Sequence, residues 1–148
     1  RKPAQADLLK SLGARYVCDS SAPTFMEDLI AAMIATGATL GFDATGGGTL
    51  ANQILTAMEA ALNRQATTYS RYGSPVKKQV YLYGNLDLRP TEITRSYGMA
   101  RGIVGLLGFP YLDQLGEEKN NPLPQPVIDQ RTTTFSSHHP NENSSSEA

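Results

Sequence analysis

The sequence predicts an α/β fold, a parallel sheet with helices on its faces, and three observations carry that prediction. Helix-period and strand-like stretches alternate along the chain. From Thr39 to Ala51, Leu40 and Phe42 alternate into an acid, Asp43, then Gly46-Gly47-Gly48, then a helical pattern from Leu50. That is a strand, a glycine turn and a helix, the junction at which ligands sit in α/β folds. Finally, Val80-Tyr81-Leu82-Tyr83 is almost continuously apolar, as in a strand covered on both faces.

Taken in order, Pro3 to Leu12 places Ala4, Leu8, Leu9 and Leu12 at helical spacing, with proline in the first turn and Gly13 after the last. Arg15 to Cys18 reads as a short strand. Thr24 and Glu27 have the spacing of a capping box, ahead of a helix with Phe25, Leu29, Ile30, Met33 and Ile34 on one face and Gly37 at its end. The strand at Thr39 to Asp43 follows. A third helix carries Leu50, Ile54, Leu55, Met58 and Leu62. Arg64 to Lys78 is polar and reads as a surface loop. Gln79 to Tyr83 is the clearest strand, closed by Gly84-Asn85. Leu86 to Tyr97 reads as loop with one short helical turn, and Met99 to Leu107 as a glycine-weakened strand.

Composition excludes several classes. The chain has 148 residues, enough for one core, and a formal net charge of −1, so nothing argues for nucleic acid or an anionic membrane. No apolar run approaches the roughly 20 residues of a membrane helix. The single cysteine, Cys18, excludes an internal disulfide and suits a reducing, cytoplasmic setting. From Glu117 the chain turns polar and proline-rich, and residues 117–148 are expected to be a disordered tail. The chain begins at Arg1 rather than methionine, which gives the expectation of a piece of something longer.

The glycine turn is the main candidate site. Gly46-Gly47-Gly48-Thr49-Leu50-Ala51 fits the dinucleotide pattern G-x-G-x-x-G/A, yet no acid stands about 20 residues on, where Gln65 to Tyr72 lie instead. Glycines there either admit a phosphate or ribose or simply make a tight turn. Asp43 either holds a ribose hydroxyl or caps the turn through the N–H groups of Ala44 to Gly46, the cap being the safer reading. Gly84-Asn85-Leu86 faces a ligand across the sheet edge or is a plain turn. Cys18 reads as a small core residue. His138 and His139 have no acid or cysteine cluster beside them, so no metal site is expected, and no catalytic constellation is visible.

An ordered series of segments resembles the cofactor domain of the medium-chain dehydrogenase/reductase superfamily, the zinc-binding alcohol dehydrogenases and quinone oxidoreductases. The segments are Arg1 to Gln5, Leu9 to Ala14, Phe25 to Leu29, Phe42 to Gly47, Met58 to Arg64, Tyr72 to Ser74, Val80 to Gly84 and Gly98 to Ala100. The resemblance covers residues 1–116. It implies a Rossmann-like three-layer sandwich, incomplete at the N-terminal side. It implies binding of NADP or NAD, and hydride transfer to or from a carbonyl, alkene or quinone as the small-molecule substrate. By that register Arg1 and Lys2 lie where the adenosine ribose or its 2′-phosphate is read, and two adjacent bases favour NADP. Asp43, Ala44, Thr45, Gly46 and Gly47 face the middle of the cofactor, and Gly84, Asn85 and Leu86 lie near the nicotinamide. The strand at Gly102 to Leu107 lies near a homodimer contact. The resemblance also places any zinc ligands outside this chain, which alone is expected to be inactive. Two rivals stand beside it. One is an S-adenosylmethionine-dependent methyltransferase, from the acidic glycine-rich loop Phe42 to Gly48. The other is a non-enzymatic remnant serving as a dimerisation unit through an exposed sheet edge.

Overall fold

The computed structural model describes residues 3–107 and Pro110. In chain order its elements are α1 (Pro3–Ser11), α2 (Phe25–Thr36), β1 (Leu40–Asp43), α3 (Leu50–Gln65), β2 (Lys78–Leu82) and β3 (Arg101–Gly105). The three strands form one open parallel sheet in the order β1-β2-β3. Gly41 pairs with Val80 and Asp43 with Leu82, while Val80 pairs with Ile103 on the other side. The fold is α/β, as the alternation of patterns predicts.

The period of two along each strand decides which face is covered. Gly41, Val80 and Ile103 point toward α3, where Leu55, Met58 and Val80 are fully buried with Tyr97 and flanked by Ile54, Leu82 and Ile103. Gly41 is glycine for want of room: an added Cβ would lie 2.9 Å from the Ile54 side chain. The opposite side of α3 packs on α2 through Ile30, Ala57 and Ala61, and Met33 touches both clusters. Alanines at 57 and 61 let two helices approach closely. On the other face of the sheet Phe42 stacks on Tyr81, ring centroids 5.6 Å apart, and remains 56% exposed.

Helix α2 ends where the sequence says it should: Gly37 is left-handed at φ 65°, and its N–H bonds the Met33 carbonyl. Its start differs from expectation. Thr24 is helical and makes no side-chain cap; its hydroxyl bonds Asp28 instead, 2.8 Å away. Glu27, the expected partner in the box, reaches across to Arg64 on α3 at 3.0 Å. The predicted strand at Arg15 to Cys18 does not form either. These residues are irregular, and among the described residues no strand pairs with them to supply the ladder that a β run requires. Leu86 to Tyr97 contains no helical turn, and the last strand is confined to Arg101–Gly105. The predicted tail at 117–148 lies outside the described residues.

Candidate functional site

Because β1 and β2 are adjacent and parallel, the loops that follow them leave the same edge of the sheet. These are the two loops singled out in the sequence, and the structure brings them together. The ladder continues past the strand ends: Tyr83 N–H donates to the Asp43 carbonyl at 3.0 Å and Asp87 N–H to the Thr45 carbonyl at 2.8 Å. Further on, Gly48 N–H donates to the Pro90 carbonyl at 3.0 Å, Glu92 N–H donates to the Gly48 carbonyl at 2.9 Å, and the Thr91 hydroxyl closes on the Gly46 carbonyl at 2.6 Å. The segment then runs down α3, where the Asn52 amide oxygen accepts from both the N–H and the hydroxyl of Thr94.

This stapling explains the glycines. Gly46 and Gly48 hold φ of 77° and 73°, a left-handed backbone that side chains resist. At Gly47 an added Cβ would stand 2.3 Å from the Arg89 carbonyl oxygen and 2.4 Å from that of Asp87. At Gly84 it would stand 1.9 Å from the carbonyl oxygen of Ala44. Gly46, Gly47 and Gly48 are all buried. What presses on them is the chain's own 84–92 segment, which covers the start of α3. Ala44, Thr45 and Gly84 are half-buried and Asn85 and Leu86 exposed, so the accessible rim consists of these residues.

Asp43 is 1% exposed and caps the turn. Its Oδ1 accepts from Thr45 N–H at 2.7 Å, the Thr45 hydroxyl at 2.5 Å and Gly46 N–H at 3.3 Å, while Oδ2 is buried with no hydrogen-bond partner. On the other face of the same edge, Phe42, Tyr83, Leu106 and Leu107 line an apolar hollow of about 390 Å³. Beside Gly48, Asp87 grips the Arg89 guanidinium at 2.6 Å; hydrogen bonds from Arg89 hold that carboxyl down at about 2.

Arg1 and Lys2 lie outside the described residues, as do His138 and His139. Among the described residues no cluster of three His, Cys, Asp or Glu can hold a metal ion. No described helix is long and apolar enough to cross a membrane. Cys18 is half-buried, and burial, then the Asp28 carboxylate, raise its thiol pKa, which favours the protonated thiol.

Sequence reasoning missed one polar centre. Glu59, 4% exposed on α3, pairs with Lys78, which is fully buried, at 2.7 Å. It also accepts from Ser74 N–H at 2.9 Å and the Asn63 amide at 3.1 Å. Burial alone would raise the Glu59 carboxyl, but Lys78, Ser74 and Asn63 together hold it below its ordinary 4.5. The available signal was an acid four residues after Leu55, on the apolar stripe of the helix.

The fold and this edge define an open-sheet α/β domain of the Rossmann-like kind. No protein-family model and no curated protein matches the chain. A solved structure does: a Mesorhizobium loti protein assigned as an NADPH:quinone reductase, with a TM-score of 0.64 and 24% identity over 93% of this chain. At that identity the likeness shows the fold. The chain spans 36% of the length of that structure.

Proposed function

We propose that the chain is part of the cofactor domain of an NAD(P)-dependent oxidoreductase of the medium-chain dehydrogenase/reductase superfamily, acting by hydride transfer on a carbonyl, alkene or quinone. The observation that carries this reading is the meeting of residues 44–47 and 84–86 at the carboxyl edge of two adjacent parallel strands, where α/β folds bind ligands. The likeness to a protein whose name carries NADPH supports it, and favours NADP over NAD. In this reading Ala44, Thr45, Gly84, Asn85 and Leu86 touch the cofactor. Gly46 and Gly47 act indirectly, by letting the two loops close on each other, and Asp43 fixes the turn. The reading includes a cytoplasmic setting, for which the free Cys18 speaks, and a homodimer through the edge of β3. In this reading the chain by itself grips no pyrophosphate and turns nothing over; the packing of residues 84–92 against the glycine turn at α3 supports it.

An amide-resolved NMR titration tests this. Millimolar NADPH is expected to shift Ala44, Thr45 and Gly84 to Leu86 weakly, without tight binding. Shifts at those amides from S-adenosylmethionine but not NADPH would replace the reading with a methyltransferase. Submicromolar NADPH binding to the 148-residue chain would overturn the expectation that it is inactive alone.

A further inference from the structure

The opposite edge of the sheet, where Lys78 begins β2 and Arg101 begins β3, carries a second hollow of about 320 Å³. Its lining includes Arg71, Tyr72, Arg95, Ser96 and Met99, with Glu59 in its wall. We infer that this hollow is an anion site that takes a phosphate-type group joined to an apolar or aromatic body.

Charge points that way. Among the described residues the ion pairs engage Arg64, Lys78 and Arg89; neither Arg71 nor Arg95 has a carboxylate partner. The one acid in the lining, Glu59, is already neutralised by Lys78 at 2.7 Å. The lining therefore holds two arginines with no balancing charge, the Arg71 guanidinium lying over the Tyr72 ring at 5.5 Å, and guanidinium forks suit the oxygens of a phosphate. The Ser96 hydroxyl adds a further polar group.

The frame is rigid. Ser74 N–H is tied to Glu59 at 2.9 Å, and Met99 N–H to the Tyr72 carbonyl at 3.1 Å. Arg101 donates to the Gly98 carbonyl and lies over the buried Tyr97 ring at 5.3 Å. Gly73 admits no side chain, since an added Cβ would stand 2.4 Å from Glu59 Oε1 and 2.6 Å from the Gly98 Cα. Both arginines thus ride on loops locked to each other. The backbone that carries the donors therefore needs no reordering when an anion binds, and only the exposed arginine side chains close on it. Tyr72 and Met99, 68% and 71% exposed, offer apolar surface to the body of the ligand. The inference is independent of the nicotinamide reading, which concerns the other edge.

The test titrates the full chain with inorganic phosphate and with phenyl phosphate, followed by amide NMR. Saturable shifts are expected at Tyr72 to Ser74 and Ser96 to Met99, with phenyl phosphate binding more tightly than phosphate. Arg71→Gln and Arg95→Gln, both surface changes, should each weaken phenyl phosphate binding at least about fivefold, and added salt should weaken it further. Absence of saturable shifts at these amides overturns the inference. So does unchanged affinity in the double variant, or shifts confined to Ala44 to Gly46.

Discussion

Gly47 and Gly84 show how much a single hydrogen in place of a side chain decides. Each lies where two backbones meet closer than any Cβ allows. Gly47→Ala should destabilise the chain by about 1–3 kcal/mol, through forced displacement of the 84–92 segment. Gly105→Ala is the control, since nothing stands within 4 Å of its added Cβ. Urea unfolding of the two variants checks this; equal midpoints would show that the loops are not pressed together. The same scale holds the buried pair. Glu59→Gln leaves the Lys78 ammonium, 0% exposed, without its counter-charge, and should cost about 3–5 kcal/mol. Glu59→Gln with Lys78→Met removes the stranded charge and should recover most of that loss in the same measurement. By contrast Arg64→Ala should cost under about 1 kcal/mol, because the pair with Glu27 is 49% and 69% exposed.

Among the elements, α3 does most of the organising. One side of it covers the sheet through Leu55 and Met58, the other seats α2 through Ala57 and Ala61, and its Glu59 ties down the loop at Ser74, to which Met99 is bonded in turn through Tyr72. Leu55→Ala should therefore cost about 2–5 kcal/mol by thermal or urea unfolding, as a cavity between helix and sheet. The helical period made α3 and α2 legible, and Gly37 gave the end of α2. The capping box failed because a side chain has more than one partner within reach. Thr24 and Glu27 sit at box spacing, yet Asp28 and the distant Arg64 take them. The strand at Arg15 to Cys18 failed for a related reason: β structure is a property of pairs, and a β-like composition carries no partner with it.

For the whole molecule, acid stability follows from Glu59. Its folded pKa lies below its ordinary 4.5. It therefore contributes stability that is present above the unfolded value and lost as pH falls through the folded one. Unfolding free energy should drop as pH falls below the unfolded value near 4.5, and the drop should shrink in the Glu59→Gln, Lys78→Met chain. An unchanged acid profile would show that other carboxylates govern it. Asp87, held at about 2, acts in the same direction at the surface.

The sequence by itself determined the α/β class, the three strands that pair, the helices on either side of β1, and the two loops at Gly46 and Gly84, because hydrophobic period and glycine placement are local. The capping role of Asp43 was legible for the same reason: the N–H donors it accepts from lie two and three residues away. Only the tertiary structure decided what the glycines are for. The pattern Gly46-Gly47-Gly48 is compatible with a phosphate, a tight turn or another backbone, and the 84–92 segment that fills the space is some 40 residues distant in sequence. The Glu59–Lys78 pair and the placing of Arg71 and Arg95 in one lining were equally hidden. Charges this far apart in the chain become neighbours only when parallel strands bring their loops to one edge.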